Sequence, residues 1–325
     1  MSEPFTPPPR AAGTGALPAA VGPAAPSVVV PAGRTARRRA DAALVVAALF
    51  FGTTFIVVKD AVENADPIGF LAVRFLLGGA VLAVLARGRP ATPHEVRHGV
   101  LAGAALLAGY VTQTVGLQYT TPATSAFVTY MLVMIVPLIT WAVHRRRPHP
   151  LTFAGVALAV AGLALLTGGA GSSAGIGRGE VLTLGCALAF AVHIVLLGET
   201  ADRHDALRFT CVQLLTVGAA CLVPAVATGG VALPAGALAA AALTGVLATA
   251  LAFAAMVAAQ RVVAPSRAAL VLLLEPVFAA LLGWATGDSL TVSMVAGGGL
   301  ILAAVVVAEI VAPAREARAR DCPAC

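Results

Sequence analysis

Residues 269–285 read ALVLLLEPVFAALLGWA, an oily run with an acid, Glu275, and a helix breaker, Pro276, side by side near its centre. With its flanks the run spans 265–286, about the 20 residues an α-helix needs to cross a bilayer. A charged side chain at the middle of such a helix costs about 2.5–3.5 kcal/mol on insertion scales, and it usually faces the bundle interior or a water-filled cavity. Pro276 frees a carbonyl one turn earlier and kinks the helix. Together they predict a helix that forms one wall of a central cavity.

The rest of the chain supports a bundle. Of 325 residues, 59% are hydrophobic and 11% charged. Soluble domains carry about 25% charged residues, so this composition implies an integral membrane protein. Ten apolar runs are expected as helices, at 41–59, 67–87, 98–118, 121–143, 150–168, 179–198, 207–227, 234–258, 265–286 and 290–311. They are continuously apolar rather than alternating, which favours helices over a barrel.

The net charge of +6 comes from 21 Lys+Arg against 15 Asp+Glu. Most of these bases sit between apolar runs, so they read as topology signals and not as a nucleic-acid surface. With the N-terminus inside, outer loops keep only Lys59 and Arg178. A multi-pass protein of the plasma membrane with both termini cytoplasmic is expected. Residues 1–40, rich in Pro and Ala, read as a disordered cytoplasmic tail, and 312–325 as a C-terminal one. Of five cysteines, Cys186, Cys211 and Cys221 lie in apolar runs as small hydrophobes. Cys322 and Cys325 close the chain as CPAC, where no helix N-terminus would activate a thiol. Neither a metal nor a cofactor is expected.

The chain also repeats itself. Phe51/Phe190, Asp66/Asp205 and Arg74/Gln213 share an offset of 139 (190 − 51), and Gln118/Gln260 and Gly155/Gly297 share 142 (260 − 118). The fold expected is therefore all-α, with ten transmembrane helices as two five-helix repeats, 41–168 and 179–311. Five is odd, so the second repeat is inverted in the membrane, as in many secondary transporters.

Four stretches carry a family resemblance. FFGTTFIVVK (50–59) is similar to a first-helix W-G-x-x-F-x-x-x-K pattern, with Phe51 in place of Trp. AVRFLLGG (72–79), LQYTTPATSAFV (117–128) and PSRAALVLLLEPVFAALLGW (265–284) resemble further stretches of the EamA-like branch of the drug/metabolite transporter superfamily. The resemblance covers about residues 42–311 and implies a polytopic metabolite carrier, often an exporter, with a cavity lined by both repeats.

Several polar residues are candidates for that cavity. Tyr110, Gln113 and Thr114 share one face of the third helix, and Thr121, Ser125 and Thr129, with Tyr130 beside them, stripe the fourth. They offer neutral hydrogen bonds to a polar solute, or serve as glue between helices. Glu275 and His193 are the coupling candidates, because each can exchange a proton inside the bundle. The alternative for Glu275 is a structural carboxyl, and for His193 a packing residue. Arg74 and Pro276 read as structural, Arg74 pairing with an acid such as Asp66. GVALAVAG (155–162) and AGGGLILAA (296–304) carry small residues that allow close packing, either within the chain or in a homodimer.

The function expected is secondary transport of a small polar or amphipathic metabolite, such as an amino acid, with export favoured. A nucleotide-sugar carrier is the alternative within the superfamily, but a diphosphate calls for several Lys/Arg. An intramembrane enzyme would need paired catalytic groups, and Glu275 is the sole acid deep in a span. No G-x-x-x-x-G-K-[ST] occurs, so no nucleotide drives the cycle through this chain.

Overall fold

The computed structural model describes residues 33–63, 65–120, 125, 128–145, 150–166, 177–285 and 291–307. Residues 1–32, Thr121, most of the loop HRRRPHP, the loop at 167–176 and the CPAC end lie outside them.

Helix starts follow side-chain caps. Asp66 accepts a hydrogen bond from the Gly69 amide at 2.6 Å, with Pro67 in first position, and opens α2 (Pro67–Leu85). Asp205 does the same for α7 (Ala206–Thr228), accepting from the Arg208 amide at 3.1 Å. A reciprocal box between Thr92 and Glu95 starts α3 (Pro93–Gly116), five residues before its apolar run. Polar residues can open a helix there because the cap satisfies its free amides outside the oil.

The remaining elements are α1 (Arg34–Glu63), α4 (Leu132–His144), α5 (Pro150–Leu166), α6 (Arg178–Thr200), α8 (Ala235–Gln260), α9 and α10 (Val292–Val306). α9 is a broken helix, Pro265–Leu272 then Leu274–Ala285. Its break at Leu273 lies three residues before Pro276, where the lost amide leaves the Leu272 carbonyl without its helical donor. α8 contains a π-helical stretch, Gly245–Ala252, which nothing in its Ala/Leu-rich sequence announces. α1 begins seven residues before its apolar run, because Arg and Ala continue a helix as well outside the hydrocarbon as in it.

The described residues are all-helical, with no strand among them. Six of the described helices are long and apolar enough to cross a membrane, and shorter apolar ones cover Val128–His144, Phe153–Leu165 and Val292–Ala304. The described helices overlap the expected runs, and six of them have the length and hydropathy of a membrane span. Large apolar side chains face outward as well as filling the core. Val84, Val223 and Val292 are 76%, 74% and 87% exposed, while Arg74, His193 and Gln213 are buried. Apolar outside and polar inside is the arrangement lipid demands.

Glycines set the closest packing. A Cβ on Gly79 would lie 2.6 Å from Leu215, and one on Gly218 would lie 2.8 Å from Leu76. These are the same contact seen twice, since 218 − 79 and 215 − 76 are both 139. α2 and α7 therefore cross through reciprocal surfaces. Likewise a Cβ on Gly245 would meet the Arg74 carbonyl at 2.8 Å, and one on Gly103 the Gln213 carbonyl at 3.0 Å. A Cβ on Gly162 of α5 would meet the Gly297 carbonyl of α10 at 2.7 Å, so these two small-residue faces pack on each other within the chain.

Candidate functional site

Between the two repeats lies a cavity of about 120 Å³. Its apolar wall is aromatic and comes from four helices. Tyr110 of α3 meets Phe190 of α6 edge-on at 5.3 Å between centroids and Phe253 of α8 at 6.2 Å, while Phe51 of α1 meets Phe253 at 5.1 Å. Such edge contacts each add about 0.5–1.5 kcal/mol beyond area burial and hold the rings in fixed orientations.

Arg74, only 2% exposed, enters this wall from α2. Its guanidinium lies 5.4 Å from the Tyr110 ring centroid and 5.8 Å from that of Phe75. Its Nε–H donates to Thr249 Oγ1, in the π-helical stretch, at 2.7 Å. The expected pairing with Asp66 is not formed, because Asp66 caps its own helix through the Gly69 amide. Arg74 instead lines the cavity, and its terminal nitrogens have no hydrogen-bond partner among the described residues.

Glu275 lines the same cavity, just past the break in α9, and the Tyr130 hydroxyl reaches its carboxyl. Among the described residues no ion pair within 4.0 Å joins Arg74 to Glu275. Gln113 and Thr114 line the cavity with Tyr110, and Gln113 donates to Thr129 at 3.3 Å, so the stripes on the third and fourth helices meet. Ser125 does not line the cavity; it is fully buried, with its hydroxyl unpartnered among the described residues. His193 lines it too, bonded through Nε2 to Gln213 Oε1 at 2.8 Å. Thr249, Gln213 and the ring at Phe253 are site features that no local pattern reveals. The paired offsets Phe51/Phe190 and Arg74/Gln213 were the signal that positions facing the centre recur in both halves.

The lining runs to Val58 and Leu117, near the ends of α1 and α3. The other end of the bundle is tied by polar contacts. Arg267 grips Asp41 through two bonds of 3.1 and 2.9 Å, Arg208 meets Glu95 at 3.1 Å, and His144 meets Glu199 at 2.6 Å. His98 and His204 share a hydrogen bond of 2.8 Å at that end. Among the described residues no cluster of three or more His, Cys, Asp or Glu side chains is arranged to hold a metal.

Apolar-faced helices packed around an aromatic cavity that holds one arginine and one glutamate define a multi-pass membrane protein. The chain belongs to the EamA-like transporter family, whose pattern matches residues 38–168 and again 177–309. An uncharacterised transporter of Archaeoglobus fulgidus is 34% identical over 163 residues, 50% of each chain. The uncharacterised transporter YvbV of Bacillus subtilis is 25% identical over 187 residues, 54% of this chain and 58% of its own. The matches thus span about half the length of these curated relatives. One solved crystal structure shares the fold, with a TM-score of 0.72 at 22% identity over 85% of this chain and 99% of its own. Family and relatives alike indicate a transporter rather than an enzyme.

Proposed function

We propose that the protein is a secondary carrier that exports a small amphipathic zwitterion, an amino acid or a close relative, across the plasma membrane. The observation that carries this reading is the separation of Arg74 from Glu275. Both line one cavity, and they do not pair. An unpaired ionic group inside a bilayer is costly, so a cargo that supplies a carboxylate to Arg74 and an ammonium to Glu275 offsets the cost of both. The aromatic wall of the same cavity suits an apolar side chain. A nucleotide sugar fits less well, since Arg74 is the only Lys or Arg among the described lining residues and the cavity is small. An intramembrane enzyme lacks support, since Glu275 is the single acid among those residues.

In this reading the ten helices form two inverted five-helix repeats with both termini cytoplasmic. The polar-tied end is then the cytoplasmic one, and the cavity reaches toward the outside. Glu275 exchanges a proton with each cycle. The test is a proteoliposome panel of amino acids, hydrophobic amines and UDP-sugars, with and without a pH gradient. Gradient-stimulated movement of amino acids is expected. Movement of UDP-sugars alone would overturn the reading.

A further inference from the structure

Gln213 is fully buried, and its Nε2 donates to the Phe209 carbonyl at 3.2 Å. That bond fixes the direction of the amide, because a carbonyl accepts only from the nitrogen side. Oε1 is therefore the atom that meets His193 Nε2 at 2.8 Å. Two bare acceptors do not approach so closely, so the hydrogen of His193 sits on Nε2. A neutral imidazole with its hydrogen there keeps a lone pair on Nδ1. Among the described residues no donor reaches Nδ1, and His193 lines the cavity.

We propose that Gln213 is a positioning residue that locks His193 in the Nε2–H tautomer, so that Nδ1 accepts a hydrogen bond from an amine on the cargo. This assignment rests on the zwitterion reading and adds a specificity element to it. The repeat gives it a counterpart. Gln213 occupies the position 139 residues after Arg74. The first half presents a donor there for the acidic end of the cargo. The second half uses the same position to aim an acceptor at the basic end.

Three ligands separate the ends: leucine, isoamylamine (no carboxylate) and 4-methylpentanoate (no amine). Binding is measured by calorimetry on the full chain in nanodiscs. His193→Gln places an amide nitrogen where Nε2 was, keeping the bond to Gln213, but offers no acceptor at Nδ1. The expected result is an increase in Kd of about tenfold for leucine and isoamylamine, with 4-methylpentanoate unchanged. His193→Asn, which can place an oxygen near the Nδ1 position, should recover most of the loss. Gln213→Met should weaken the two amines alone, and less than His193→Gln does. Imidazole 15N shifts, assigned by the signal missing from His193→Asn, should show a bare Nδ1 in the wild type.

An equal loss for all three ligands, or a bare Nε2, would overturn the assignment. If His193→Gln fails to fold, the Asn variant and the 15N signature decide. Wild-type binding of leucine that His193→Gln leaves intact sinks this assignment alone. Wild-type failure to bind either amine sinks the zwitterion reading, and this assignment with it.

Discussion

Asp66 and Asp205, 139 residues apart, do the same work: each caps the helix that follows it. Arg74 and Gln213, the same distance apart, do not. One lines the cavity as a cation held by Thr249, and the other is an amide that holds a histidine. Glu275 and Val133, separated by 142 (275 − 133), differ again as acid against aliphatic. The two repeats agree in these Asp caps, in the Gly79/Gly218 crossings and in Phe51/Phe190, and differ at the charged and polar positions of the site. Packing and capping answer to the same geometry in both halves. The zwitterionic cargo proposed above has two unlike ends, which would give the site reason to break the symmetry that the scaffold keeps.

The largest expected effect tests the scaffold half of this comparison. Gly79→Val and Gly218→Val each force methyl groups into the leucine of the opposite repeat. Overpacking of this kind costs about 1–3 kcal/mol. Both variants should lower the yield of folded protein and the thermal midpoint in detergent, and by similar amounts. A large loss for one and none for the other would break the equivalence of the two crossings.

Next comes the site. Arg74→Gln writes the second repeat's residue into the first. It should leave the fold in place and weaken leucine binding roughly 10- to 100-fold, the range for losing bonds to a charged group. Isoamylamine, which has no carboxylate, should be nearly unaffected. A parallel loss for both would mean that Arg74 acts on the fold. Glu275→Gln keeps size and hydrogen bonding, so folding should persist, while leucine and isoamylamine bind more weakly and the response of transport to a pH gradient disappears. Gradient dependence surviving in well-folded protein would rule out Glu275 as the coupling group.

The chain made some of this legible and hid the rest for physical reasons. Glu275 stood out because an acid in an oily run is expensive wherever it points. Tyr110 and Gln113 were readable because three-residue spacing puts them on one helical face. Arg74 was seen but paired wrongly, since the acid nearest in sequence, Asp66, is committed to a helix cap. Its actual partner, Thr249, lies 175 residues away. That meeting depends on Gly245 approaching the Arg74 backbone and on a π-helical stretch with no sequence signature. Ser125 kept step with Thr129 in sequence but falls outside the cavity lining.

The smallest effect concerns the two ends of the bundle. His98 and His204 meet where α3 and α7 begin. Their repeat mates are Ala240 (98 + 142) and Ala65 (204 − 139), both packed against a small apolar cluster around Phe70 and Ala237. Phe209, the mate of Phe70, instead lies 4.9 Å from the His204 ring. Alanines thus stand at one end where a titratable pair stands at the other. Burial first, and then the neighbouring His98 and Arg203, hold His204 below its ordinary value of 6.5, with Glu95 and Asp202 pulling the other way. An imidazole with a lowered folded-state value binds fewer protons than the unfolded chain does. Its contribution to stability is therefore complete above about pH 6.5 and is lost as the pH falls from there toward the folded-state value. Thermal midpoints in nanodiscs should fall between about pH 7.5 and 5.5 in the wild type, and fall less in His204→Gln. A wild-type curve that stays flat, or one that the variant leaves unchanged, would mean that the histidine end is as indifferent to protons as the alanine end.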